Sequence, residues 1–301
     1  MSLPTATLGR TGVQVTKLGY GAMELRSHRL DPGTVDALLN SVLDAGITMI
    51  DTSPDYGASE EHIGRAISHR RDEYFLASKC GCPVGDGVGE TPPANGPREH
   101  SFTRENIRAG VEQSLRRLRT DHVDLVQFHI SPSPEVLAEH DAVAELLSLR
   151  DEGKIRFLGI SGTLPNLPAQ IAMGAFDAFQ IPYSALEREH EAAITSAARA
   201  GGGTIIRGGV ARGVREPHPD FPEPYRQVML ARRERFEQTE LDDLLGDMSP
   251  MELMLRFTLS HPDLHTTIVG TKNPDHLAAN VAAAAKGPLP ADVYELAKQR
   301  F

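Results

Sequence analysis

The feature that most constrains this chain is a rhythm of alternating segments. Eight short runs rich in β-branched and apolar residues each give way to a helix-like stretch. They are VTKLGYGAM near the start, ITMID (47–51), YFLASK (74–79), HVDLVQFH (122–129), KIRFLGIS (154–161), FDAFQIP (176–182), GTIIRGG (203–209) and HTTIVG (265–270). The helical stretches carry start and stop signals. Asp31-Pro32 supplies an N-cap with Pro at the first helical position, Gly46 ends that helix, and Thr103 opens another that runs to about Arg119. Further helices are predicted near 60–69, 134–152, 187–200, 250–260 and 274–285. Strands joined by crossover helices run parallel and are buried on both faces. Eight such units predict an α/β fold, the (β/α)8 TIM barrel, in which one domain takes the whole chain, residues 1–301. The opening TATLGRTGVQVTKL alternates about a turn at Arg10-Thr11-Gly12 and reads as an N-terminal β-hairpin placed to plug the N-terminal mouth.

Two segments break the rhythm. Residues 83–100 hold four glycines and four prolines, and residues 214–249 pass from the proline-rich EPHPDFPEP into a charged helix. Both follow a strand, so both are expected as long loops at the C-terminal mouth, where barrel active sites sit. With 31 Lys and Arg against 41 Asp and Glu, the net charge of −10 argues against a nucleic-acid partner. No apolar run approaches the ~18 residues of a membrane span, and the opening lacks the layout of a signal peptide. Two cysteines, Cys80 and Cys82, are too few for a disulfide framework. A cytoplasmic location away from membranes is expected.

In this register Asp51, Lys79 and His129 end successive strands, and Tyr56 lies on the loop leaving the strand of Asp51. An ionisable group in an apolar strand is costly to bury without a partner, so four around one mouth imply a shared task. A phenol is a poor acid near neutrality, and an adjacent ammonium favours its ionised form. A carboxylate holds that ammonium charged and oriented, while an imidazole can donate to a carbonyl oxygen. The set therefore reads as a tuned tyrosine proton donor beside a polarised carbonyl. No side chain supplies a hydride, so reduction requires a cofactor.

These residues lie within motifs that resemble the aldo-keto reductase superfamily. The opening TLGRTGVQVTKLGYGAM, the runs DTSPDYGASEEHIGRAI, SKCG, GVEQSLRRLRTDHVDLVQFH, GKIRFLGISG and FQIPYSALER, and the closing IVGTKNPDHLAANVAAA follow the family's order across almost the whole chain. The resemblance implies an NADPH-dependent reductase of a small aldehyde or ketone, with NADH as the less common cofactor. It implies Tyr56 as acid and base, Lys79 and Asp51 as its tuning pair, and His129 as the group orienting substrate. It also implies cofactor contacts at Gly21, Ala22 and Met23, at Asp51, at Ser161 and Gln180 for the carboxamide, and at Arg207, Gly208 and Val210. Gly270, Thr271, Lys272, His276 and Asn280 are implied at the adenosine end, where a cation favours the 2′-phosphate.

Two departures stand out. Gly162 occupies a place where many members have Asn. Arg207 replaces the aromatic residue expected to stack on the nicotinamide, and its guanidinium is expected to meet either the cofactor phosphates or an anionic substrate. A nucleotide-binding sensor or assembly subunit with little catalysis is the competing function, and an isomerase using Lys79 as a Schiff base leaves Asp51 and Tyr56 without a task. No metal site is expected. The histidines of HPDLH (261–265) are separated by a proline that prevents one helix from carrying both. Cys80 is expected to turn away from the barrel axis as an inert thiol, and the run Arg232-Arg233-Glu234-Arg235 to form a solvated helix face.

Overall fold

The computed structural model describes residues 2–85, 99–210, 223–239 and 241–301. The middle of the first expected rim loop (86–98) and the proline-rich start of the second (211–222) lie outside the described residues.

The alternating hairpin forms as the sequence predicts. β1 (Thr5–Thr7) pairs antiparallel with β2 (Gln14–Thr16), with Thr5 opposite Thr16, and Gly12 closes the turn at φ 70°. Eight parallel strands follow: β3 (Leu18–Gly21), β4 (Met49–Asp51), β5 (Phe75–Cys80), β6 (Val123–Phe128), β7 (Ile155–Ser161), β8 (Ala178–Pro182), β9 (Gly203–Arg207) and β10 (Thr266–Val269). They close into a barrel in chain order, with β10 returning to pair with β3. Because all eight run parallel, their C-terminal ends share one mouth.

Alternation along the strands divides the interior from the helical shell. Met49, Phe75, Ala77, Leu125, Ala178, Ile205 and Ile268 form an inner apolar cluster, closed below by Leu8 and Val15 of the hairpin region. Neighbours in the sequence, such as Ile50, Leu76, Val126 and Ile206, belong instead to the larger cluster between barrel and helices. The hairpin is therefore a plug, and the backbone nitrogen of Arg10 donates to Gly201 O to hold it against the barrel floor.

The predicted helix starts are realised by side-chain caps. Asp31, Thr103, Ser133, Ser249 and Asn273 each accept a backbone N–H two or three residues on, and four of them precede a proline. The helix predicted over 134–152 is two helices, Pro134–Glu139 and Ala142–Asp151. The chain breaks at Asp141, whose φ of 48° is left-handed, a conformation that Asp tolerates better than most residues. The helix predicted from Glu187 begins later, at Glu191, because residues 184–187 close a tight turn, with Ser184 and Glu187 exchanging backbone bonds.

Helices Ser59–Ile67 and Arg104–Leu118 approach each other at Gly64, where a methyl group would overlap the carbonyl of Arg117 and the backbone of Leu118. Gly64→Ala is expected to lower unfolding stability by about 1–3 kcal/mol through overpacking, despite alanine's higher helix propensity. Urea unfolding of the two proteins measures it, and equal midpoints would refute the close approach.

Candidate active site

Two residues beyond the inner apolar cluster, the alternation that buries hydrophobic side chains turns polar ones into the same interior. Met49 leads to Asp51, Ala77 to Lys79, Leu125 to Gln127, Ala178 to Gln180 and Ile205 to Arg207. Asp51 is the hub of this layer. Its Oδ1 accepts from Lys79 Nζ at 2.7 Å, and its Oδ2 accepts from Gln127 Nε2 at 3.0 Å and Gln180 Nε2 at 2.8 Å. Lys79 Nζ also donates to Thr52 O at 2.8 Å. The Lys79 and Asp51 side chains are 0% and 1% exposed, so neither charge could persist without the other. Burial alone would favour neutral Lys79, yet Asp51 and Tyr56 together raise its pKa above the ordinary value.

Tyr56 stands over this pair on the short turn Pro54–Tyr56, with Lys79 Nζ 5.0 Å from its ring centroid. His129, one residue beyond the end of β6, meets the Tyr56 ring edge-on at 6.2 Å. Burial lowers the pKa of His129 to about 4 against the opposing pull of Asp55, leaving a neutral imidazole. The three residues read from the strand ends and Tyr56 from the adjoining loop thus converge.

Most residues implied for the cofactor sit at or just beyond the C-terminal ends of the strands, and His276 and Asn280 lie on the helix that follows β10. Gly21 ends β3, and Ala22 and Met23 follow in a single turn. Ser161 ends β7 beside Gln180, and its hydroxyl faces Gln180 Oε1 at 3.4 Å. Arg207 ends β9, with Gly208 and Val210 just beyond. Gly270, Thr271 and Lys272 leave β10, and His276 and Asn280 are four apart on helix Pro274–Ala285. Tyr20 Oη ties this last segment to β3 by donating to Thr271 O at 2.7 Å.

The first departure has a steric cause. A Cβ at position 162 would lie 2.6 Å from Gln170 Oε1 and 2.7 Å from Leu167 Cδ1, so that place is already filled. Arg207 is partly exposed, and burial lowers its pKa while Tyr56 and Glu187 act to keep it charged. Among the described residues no hydrogen bond or ion pair engages its guanidinium; Glu187 pairs with Arg232 of helix Glu223–Gln238. Arg235 of that helix donates to Leu186 O at 3.3 Å. The run Arg232–Arg235 is therefore only half solvated, because two of its arginines dock the helix onto the turn beside the mouth.

Several residues of the site escaped sequence reasoning. Gln127 was detectable, since it alternates between Leu125 and His129. Asp55, Cys82 and His100 were not, because no spacing links them. Cys80 lies in the outer core as expected, whereas Cys82 turns toward the site, with Sγ 3.3 Å from His129 Nδ1. His261 and His265 serve packing roles: His261 meets the Tyr183 ring at 5.1 Å, and His265 Nδ1 faces Thr204 Oγ1 at 2.7 Å.

Against known proteins, the model of the Aldo/keto reductase family matches residues 17–299. The chain belongs to the aldo-keto reductase family. This family consists of oxidoreductases that use NAD(P)H and act on small-molecule carbonyl compounds. Among its relatives is aldo-keto reductase YhdN of Bacillus subtilis (strain 168), 28% identical over 91% of this chain and 86% of the relative. The NADH-specific methylglyoxal reductase of Escherichia coli (strain K12) is also 28% identical and covers 92% of each chain. The holo form of aldo-keto reductase AKR11C1 from Bacillus halodurans superposes with a TM-score of 0.79 at 27% identity, covering 99% of this aldo-keto reductase and 96% of that one. Among the described residues no helix is long and apolar enough to cross a membrane.

Proposed function

We propose that this aldo-keto reductase uses NADPH to reduce an aldehyde or ketone to an alcohol, with Tyr56 as the proton donor. The observation that carries the proposal is the placement of Lys79 and His129 against the same phenol, over a carboxylate that is fully engaged.

The residues present suit a nicotinamide nucleotide. Ser161 and Gln180 offer a hydroxyl and an amide side by side, complementary to a carboxamide, and Lys272 and His276 bring exposed cationic or polar groups to the start of a 12-residue helix, where anions are favoured. Bound there, NADPH supplies the hydride. The protein's own part is proton and oxygen chemistry. His129 donates to the substrate oxygen and fixes its direction, and Tyr56 passes its hydroxyl proton to that oxygen as negative charge develops. Lys79, held by Asp51, stabilises the phenolate left behind.

Fluorescence titration with NADPH and NADH, followed by cofactor oxidation against a panel of aldehydes and ketones, tests the proposal. Tighter NADPH binding with turnover on some member supports it; binding with no turnover on any carbonyl would favour the sensor function instead.

Among the described residues no hydrogen bond or ion pair occupies the Arg207 guanidinium at the end of β9, so it suits a carbonyl substrate that also carries a carboxylate. Arg207→Ala is expected to raise KM about 10-fold for such substrates, equivalent to ~1.4 kcal/mol, and to leave neutral carbonyls little changed. A weakened NADPH affinity with unchanged substrate preference would assign Arg207 to the cofactor phosphates instead.

A further inference from the structure

Next to Tyr56, whose ring meets His129, four potential metal ligands from four separate places in the chain come together. Asp55 Oδ2 comes from the turn before Tyr56, Cys82 Sγ from the segment leaving β5, His100 Nε2 from the segment returning to helix Arg104–Leu118, and His129 Nδ1 from the end of β6. All four atoms lie within 4.8 Å of one another. The closest separations are His100 to Asp55 at 3.2 Å, His100 to His129 at 3.2 Å, Cys82 to His129 at 3.3 Å and His129 to Asp55 at 3.5 Å.

Hydrogen bonding accounts for only part of this convergence. An imidazole nitrogen carries either one proton or one lone pair, in the plane of the ring. His129 Nδ1 nevertheless faces a thiol, an imidazole nitrogen and a carboxylate oxygen at once, so it can satisfy one of the three. Four ligands held tetrahedrally around zinc, with bonds of about 2.0–2.1 Å to N or O and about 2.3 Å to S, stand roughly 3.3–3.6 Å apart. The four separations above fall at or just below that range.

The backbones carrying these ligands are also fixed by bonds that do not involve the ligand atoms. Asn106 Nδ2 donates to Cys82 O at 3.1 Å and to Ser101 O at 2.7 Å, joining the two stems. Ser101 N donates to Gly81 O at 2.9 Å, and His129 N to Cys80 O at 3.1 Å. The His100 ring lies against Phe102, and its side chain is 1% exposed. The arrangement is thus organised before any ion arrives.

We propose that Asp55, Cys82, His100 and His129 bind one borderline-soft divalent cation of the zinc class. A thiolate and two imidazoles select against magnesium and calcium, which prefer oxygen ligands. With four protein ligands the site is closed, and its role is positional. Where the site meets the proposed carbonyl chemistry, it commits His129 Nδ1 to the metal, so that Nε2 carries the proton donated to substrate.

Metal binding by the full-length, tag-free protein, stripped with chelator and desalted, tests this directly. Zinc titration against a chromophoric competitor is expected to give one equivalent bound, and cobalt(II) is expected to give a thiolate-to-metal charge-transfer band. Cys82→Ser should abolish that band, and Cys82→Ser and His100→Ala should each weaken zinc binding by roughly 100-fold or more, whereas His140→Ala should change neither. Thermal melts monitored by circular dichroism verify that each variant is folded. A wild-type protein that takes up no more zinc than the Cys82→Ser/His100→Ala double variant, or one whose cobalt spectrum lacks the thiolate band, overturns the site. Because the readout is metal binding, its failure is separable from failure of carbonyl reduction.

Discussion

Tyr56→Phe is expected to lose about 10²–10⁴-fold in turnover while binding NADPH as tightly as the wild type. The substitution removes one oxygen and leaves the ring, so the edge contact with His129 and the placement over Lys79 survive. Only the transferable proton disappears, and an interaction needed in the transition state alone lowers kcat without touching cofactor affinity. Steady-state kinetics with the best carbonyl of the panel, set beside NADPH fluorescence titration, separates the two quantities. Turnover within a few-fold of wild type would remove Tyr56 from the chemistry.

Lys79→Met is expected to impair both activity and stability. Activity falls because the phenolate formed during proton transfer loses its neighbouring cation. Stability falls because the Asp51 carboxyl, 1% exposed, loses its buried ion-pair partner and retains only the hydrogen bonds from Gln127 and Gln180. Breaking a buried pair from one side typically costs about 3–5 kcal/mol. The double variant Asp51→Asn/Lys79→Met removes both charges and should recover much of the lost stability while staying inactive. Chemical unfolding of the single and double variants measures this coupling, and additive losses would mean that the two residues do not act as a pair.

The parts of the site that were legible in the sequence are those set by strand alternation. Once the strands are placed, a period of two carries Asp51 and Lys79 inward above Met49 and Ala77, and parallel strands bring their ends to one mouth, whereas Gln180 was implied only by the family resemblance. The helix starts were legible for a similarly local reason, since an Asp, Ser, Thr or Asn cap acts within three residues of itself. What stayed hidden depends on loop geometry. His100 reaches His129 only because Asn106 joins two stems separated by a long segment, and Cys82 turns inward after the strand period has ended at Gly81. The break at Asp141 carries neither Gly nor Pro to announce it. The pairing of Arg232 with Glu187 requires knowing where a distant helix docks.

Following a deuterium label from the nicotinamide C4 of NADPH into a carbonyl substrate is the most direct test of the central claim. Mass spectrometry of the alcohol should find the label on the former carbonyl carbon with the wild-type protein, and almost none in the same time with Tyr56→Phe. Nucleotide that binds at the barrel mouth yet transfers no label to any aldehyde or ketone, or transfers it equally well in both proteins, would contradict the claim.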